Sequence, residues 1–340
     1  DRQTDAKSPA YYAARFCYHT LQKALGKRKR PISFERHLPD ILQHTHAFIN
    51  QHISMSEPLN STAKLKAHFD NGQYDAVIVG SDQTWRPRYS ANIDNFFLDF
   101  LQGSEIKRIA YASSFGVDEW EFTEEQTRRC APFAKQFDAI SVREKSGVYL
   151  CKNHLGVEAT HVLDPTLLLG RDAYETLYNN KEIPERQGIY TYILDQADWK
   201  NQVVETAKQV LNKPQYNNQP KAVLSTLTTS NMNDYKMPSL EGWIKGFADA
   251  DFVITDSFHG TVFSIIFNKP FISLINPSRG AARFYSLTDE LGLSNRLLGD
   301  YDQGIVEELL NTPIDYADVK RRLGILVKES ERFLFDSLAD

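Results

Sequence analysis

Short apolar runs, each closed by a polar cluster, recur along this chain: Ala76 to Val79, Arg108 to Ala112, Ala139 to Val142, His161 to Leu163, Phe252 to Thr255 and Phe271 to Ile275. Runs of this length, rich in β-branched residues and lacking a polar alternation, predict strands buried on both faces. Tyr190 to Leu194 reads as a further strand. Helical patterns lie between them. Thr123 to Phe137 opens with Thr123 and Gln126 at capping-box spacing, and Ser239 to Ala250 sets Leu240, Trp243, Ile244 and Phe247 on one face. Asp315 to Leu338 is a third helical pattern. Strands alternating with helices predict an α/β fold of parallel sheets flanked by helices. In such sheets ligands bind beyond the carboxyl ends of the strands, which is where the polar clusters fall.

Length turns this pattern into an expectation of two domains, since 340 residues exceed one ordinary core at roughly 150 residues per domain. The polar stretch from Leu169 to Glu185, with Asn179, Asn180 and Pro184, marks the boundary. The expected division is therefore 1–170, 171–314, and a C-terminal helix over 315–340 that packs back on the first domain. Asp1 to Leu25 leads into a helical pattern with no strand before it, so a first strand and its loop are expected to be missing from the first domain. Asp195 to Asn218 is polar with Asn/Gln-rich ends and receives no site.

Composition narrows the classes. Charged residues make up 24% and the formal net charge is -5, which gives no global footprint for nucleic acid. Cys17, Cys130 and Cys151 are widely spaced, which fits a reducing, cytoplasmic setting and argues against a disulfide framework. No run reaches the roughly 18 apolar residues of a membrane span. Lys27-Arg28-Lys29-Arg30 is either a solvated helix end or a peripheral contact with anionic headgroups at the inner face of the membrane. His44, His46, His52 and His68 lack metal-ligand spacing, so no metal is expected. Walker, Gly-x-Gly-x-x-Gly and Gly-x-Ser-x-Gly motifs are absent, which removes the ATPase, dinucleotide and α/β-hydrolase readings.

The chemistry-bearing residues sit at strand ends. Asp256-Ser257-Phe258-His259-Gly260 joins a strand to a helix, so His259 lies where unpaired backbone N–H groups and the helix dipole favour an anion. His259 is the leading catalytic candidate, with Asp256, Ser257 and Gly260 as binding residues; the alternative is a capping turn. Gly80-Ser81-Asp82-Gln83-Thr84-Trp85 follows the first strand and offers Asp82 as a base, with Ser81, Gln83 and a Trp85 platform suited to sugar hydroxyls. Asp82 reads equally well as a helix N-cap. Ser113 closes the second strand, Arg143 the third, and Arg279 and Arg283 flank Gly280 after the last. Arginines there suit carboxylate or phosphate, although Arg143 beside Glu144 could be an ordinary surface pair. Asp164-Pro165-Thr166 reads as a structural turn.

Six segments in this order resemble the polysaccharide pyruvyl transferases: Val79 to Trp85, Tyr111 to Gly116, Ser141 to Glu144, Leu163 to Thr166, Thr255 to Phe267, and Arg279-Gly280 with Arg283-Phe284. The resemblance implies two Rossmann-like domains in a GT-B-like arrangement with the site in the cleft between them. It also implies transfer of a pyruvyl group from phosphoenolpyruvate onto a hexose such as galactose. The acceptor would belong to a capsule, exopolysaccharide or cell-wall glycan or to its lipid-linked precursor, the product would be a cyclic ketal, and no cofactor would be needed. Ser257 departs from branches with arginine two residues before the histidine, and Arg86 stands where many relatives have asparagine. Two rival readings stay open. One is a nucleotide-sugar glycosyltransferase with Asp289 or Glu290 on the ribose, and the other is a catalytically silent glycan-binding subunit.

Overall fold

The apolar runs become strands of two all-parallel sheets in the computed structural model, which describes residues 34–72, 74–222, 231–275 and 280–339. The first sheet has the order β1-β2-β3-β4, from Ala76–Val79, Lys107–Ser113, Ala139–Val142 and Thr160–His161. The second has the order β6-β5-β7-β8-β9, with β5 at Ile189–Tyr192, β6 at Gln215–Tyr216, β7 at Phe252–Thr255, β8 at Phe271–Leu274 and β9 at Leu297–Leu298. Asp1 to Leu25, Cys17, the Lys27 to Arg30 run and Arg279 lie outside the described residues.

Burial on both faces explains the unbroken apolar runs. On the second sheet Tyr190, Val253 and Phe271 pack into one core cluster, while Ile189, Phe252, Ile254, Ile272 and Leu274 pack into another. Successive residues thus serve opposite faces, and each face is covered by helices. The helix Asp198–Leu211 supplies Val203, Val204 and Ala207 to one side. The helices Leu240–Asp249 and Phe258–Ile266 supply Phe247, Val262 and Phe263 to the other. The capping box forms as spaced: Gln126 N donates to Thr123 Oγ1 at 3.2 Å and Thr123 N to Gln126 Oε1 at 2.9 Å, opening the helix Glu124–Ala134.

The long helix Tyr316–Leu338 spans both halves. Val319 belongs to the core of the second sheet, whereas Phe333 and Leu334 pack on Tyr111, Ala112 and Val162 of the first. Leu163 N also donates to Ser330 Oγ at 3.0 Å, so the chain just beyond β4 is tied to this helix. Among the described residues no helix is long and apolar enough to cross a membrane.

Candidate active site

The site is assembled by backbone ties between neighbouring strand ends. Gly80 leaves β1 with φ of 134°, and a Cβ there would overlap the Tyr111 carbonyl, so only glycine fits. Two residues on, Asp82 takes a left-handed φ of 55°, and its carbonyl accepts from Ser114 N at 3.0 Å. Glu144, fully buried after β3, accepts from Phe115 N at 2.6 Å and Gly116 N at 3.0 Å through Oε1. Loops β1, β2 and β3 are thereby locked together. The second sheet meets them closely, because a Cβ on Gly280 would overlap the Gly116 carbonyl.

At the centre stands Arg143, whose side chain is 1% exposed. Its Nη1 donates to Asp164 Oδ2 at 2.7 Å, its Nη2 to Asp82 Oδ1 at 3.0 Å, and its guanidinium lies 4.9 Å from the Phe258 ring centre. Arg283 Nη1, in the helix Ala282–Leu291, donates to the same Asp82 oxygen at 3.3 Å. His259, in the first turn of Phe258–Ile266, places Nε2 3.7 Å from Asp164 Oδ2, an ion-pair separation rather than a hydrogen bond. Its side chain keeps 38% of its surface exposed. Two carboxylates of the first sheet thus meet a histidine and an arginine of the second around one buried arginine.

The electrostatics follow from burial competing with partners. Burial would raise the Asp164 carboxyl, but His259 and Arg143 beside it hold it well below the usual carboxylate range. Asp82, although its side chain is largely exposed, is likewise held below its ordinary value, against partial desolvation by the surrounding protein, by Arg143 and then Arg283. Burial and the neighbouring Arg143 charge together lower Arg283 to about 10. Arg143 stays cationic: burial pulls its pKa down, but Asp164, Glu144 and Asp82 outweigh it.

Several of the sequence-derived binding residues have other occupations. Trp85 is no platform: it is fully buried, stacked 4.8 Å from Phe97, with its indole N–H donating to Phe96 O at 2.9 Å. Asp256 is taken up by the loop after β5, accepting from Leu194 N at 2.7 Å, Asp195 N at 3.0 Å and Lys200 Nζ at 2.6 Å. Ser113 is buried and donates to Val79 O at 3.2 Å. Ser257 is the N-cap of its helix, accepting from Gly260 N at 3.3 Å, and Gly260 is needed for close packing on Thr255 rather than for a ligand. Gln83 is wedged against Gly116 and Gly280, and its Oε1 accepts from Arg86 Nη1 at 2.8 Å. Arg86 itself is buried in a two-pronged pair with Glu121, at 2.8 Å for each prong, and so has no free face for an acceptor. Ser81 is half-buried at the same turn.

The structure brings together Asp82, Arg143, Arg283 and His259, and adds Asp164, which the turn signature had disguised. Arg143 pairs with Asp82 and Asp164 instead of its sequence neighbour Glu144. Asp289 and Glu290 are engaged by Lys145 across the two halves, at 2.8 and 2.9 Å, rather than left for a ribose. Among the described residues no group of His, Cys, Asp and Glu could hold a metal ion.

A family model described as polysaccharide pyruvyl transferase matches residues 7–278. No curated protein matches the chain. Among solved structures, a UDP-N-acetylglucosamine 2-epimerase from Rickettsia bellii is similar over 87% of this chain and 86% of its own, at 11% identity and a TM-score of 0.51. A glycosyltransferase from Rickettsia africae ESF-5 aligns over 98% of this chain and 96% of its own, at 10% identity and a TM-score of 0.40. At such identities the likeness to the epimerase bears on fold alone, and it agrees with two Rossmann-like halves in a GT-B-like arrangement.

Proposed function

Because the chain belongs to the polysaccharide pyruvyl transferase family, a family of transferases, we propose that it moves the pyruvyl group of phosphoenolpyruvate onto a galactose-like hexose of a cell-surface polysaccharide or its precursor. The observation that carries this reading is the convergence of Arg143, Arg283 and His259 on Asp82 and Asp164 from both sheets. Phosphoenolpyruvate carries a carboxylate and a phosphate. Two arginines with a nearby histidine supply the charge-assisted contacts such a ligand needs on a net-acidic protein. Arg279, next to Gly280, belongs to the same proposed set. The division near residues 170 and 314 makes this cleft the boundary between two domains.

In the proposed reaction His259 donates a proton to the methylene carbon, or holds the phosphate while another acid does so. The adjacent carbon becomes electrophilic, and one sugar hydroxyl adds to it while its proton passes to Asp82. Inorganic phosphate then leaves, and the second hydroxyl adds with loss of its proton to close the cyclic ketal. One proton is consumed at carbon and two are released from the hydroxyls, one of which ends on the departing phosphate. Use of phosphoenolpyruvate fits a cytoplasmic enzyme working at the inner face of the membrane on a lipid-linked acceptor.

The test is to incubate the purified protein with phosphoenolpyruvate and a panel of galactose-containing free and lipid-linked oligosaccharides. Acceptor-dependent phosphate release, with one ketal methyl signal in the product for each phosphate, is expected. Consumption of UDP-galactose without phosphoenolpyruvate would mean a glycosyltransferase instead, and glycan binding without consumption would mean a silent subunit.

A further inference from the structure

One oxygen of Asp82 holds the ends of two guanidiniums that come from different sheets, at 3.0 Å from Arg143 and 3.3 Å from Arg283. Behind that oxygen the cations are enclosed. Arg143 is 1% exposed, its other prong is taken by Asp164, and the Phe258 ring centre lies 4.9 Å from the Arg143 guanidinium and 5.3 Å from that of Arg283. Asp82 is built differently, because its side chain keeps 66% of its surface in solvent. Its backbone is pinned, with the carbonyl accepting from Thr84 N at 2.8 Å and Ser114 N at 3.0 Å, so the carboxylate can leave by side-chain rotation while the loop stays put. An anionic oxygen at the position Asp82 Oδ1 now takes would engage both guanidiniums.

We propose that Asp82 is a placeholder: its carboxylate neutralises the Arg143–Arg283 pair until a ligand phosphate or carboxylate displaces it, and only the displaced carboxylate serves as base. This rests on the pyruvyl-transfer reading and adds to it a coupling between donor binding and activation of the acceptor hydroxyl. The chemistry gives the coupling a reason. A carboxylate bound to two guanidiniums is a weak base, and moving off them restores its ordinary basicity. The direction of the Asp82 shift, held down by Arg143 and Arg283 against burial, agrees with that. Displacement also swaps one anion for another on the enclosed cations, so neither state leaves a buried charge unpaired.

Inorganic phosphate is the probe, because it tests displacement without requiring transfer. The wild-type protein and Asp82→Asn are titrated calorimetrically with phosphate, and crystals of the wild type are soaked in it. Asp82→Asn should bind phosphate on the order of 2- to 5-fold more tightly, the scale of a lost partly exposed ion pair. A neutral residue would favour an anion through space as well, so the crystal structure decides. It should show phosphate oxygens bonded to Arg143 and Arg283 with Asp82 turned outward. Equal or weaker binding by Asp82→Asn, phosphate bound while Asp82 still holds both arginines, or no phosphate between them would overturn the proposal. With phosphoenolpyruvate, Asp82→Asn should combine tighter binding with lower turnover. If phosphate displaces Asp82 but phosphoenolpyruvate is consumed with no acceptor, the placeholder stands and the transfer reading falls.

Discussion

Arg143 and Asp164 are each almost sealed from solvent, so each is tolerable only while the other is present. Removing one partner of such a pair leaves an uncompensated charge, at a cost of about 3–5 kcal/mol. Asp164→Asn should therefore lower the melting temperature substantially at neutral pH. The sign of the pH dependence follows from the depressed Asp164 carboxyl. Its contribution is fully present above the unfolded value near 4 and is lost as pH falls toward the folded value, so the gap between wild type and Asp164→Asn should close in acid. His259 is more exposed, and His259→Ala should leave stability nearly unchanged while turnover drops by at least about 10²-fold, as for a lost general acid. Turnover near that of wild type would remove His259 from the chemistry. Asp82, Arg143, Arg283 and His259 could be picked out as candidates in the sequence because each lies beyond the end of a strand, Arg283 in the helix that follows β8. Trp85 misled because an indole after a polar turn looks the same whether it faces a cleft or a core. Asp164 was hidden because it also makes the turn its sequence advertises, accepting from Thr166 N at 3.0 Å.

Elements hold the candidate site through caps and buried supports. Asp256 clasps the loop after β5 and pairs with Lys200 at 2.6 Å where both side chains are buried. Asp256→Ala should cost several kcal/mol, of the order of 3–5, because it strands the Lys200 ammonium and two backbone N–H groups. Ser257→Ala removes only the cap of Phe258–Ile266 and should cost about 1 kcal/mol, read from denaturant midpoints. Trp85→Ala opens a cavity in the first core and should cost about 3–5 kcal/mol, with donor affinity of the folded fraction unchanged. Weaker donor binding by that fraction would return Trp85 to the cleft. At this scale the helices Glu124–Ala134, Leu240–Asp249 and Tyr316–Leu338 and the inner strands could be read from periodicity and capping spacing, whereas Asp198–Leu211 lay in a stretch that read only as polar. The two-residue strands β6 and β9 could not, since Gln215–Tyr216 and Leu297–Leu298 are too short to carry a pattern and join their sheet only through pairing with β5 and β8.

The two halves meet where glycine, charge and a shared helix coincide. Gly280 lies against Gly116, Lys145 reaches Asp289 and Glu290, and Tyr316–Leu338 packs on both sheets. The Lys145 pairs are exposed and should matter little: Lys145→Ala is expected to change stability by less than about 1 kcal/mol. The parallel-sheet architecture was legible in the alternation of buried runs and helices. The meeting of Asp82, Asp164, Arg143, Arg283 and His259 was not, because it depends on how two sheets face one another, which local pattern does not encode. Whether this meeting point takes phosphoenolpyruvate is decided by calorimetric titration of the protein with phosphoenolpyruvate, alongside Arg143→Lys, Arg283→Ala and UDP-galactose. Saturable binding is expected, weakened at least about 10-fold in both variants by loss of charge-assisted contacts, with no binding of UDP-galactose. Binding of UDP-galactose alone, or phosphoenolpyruvate affinity indifferent to both arginine changes, would contradict it.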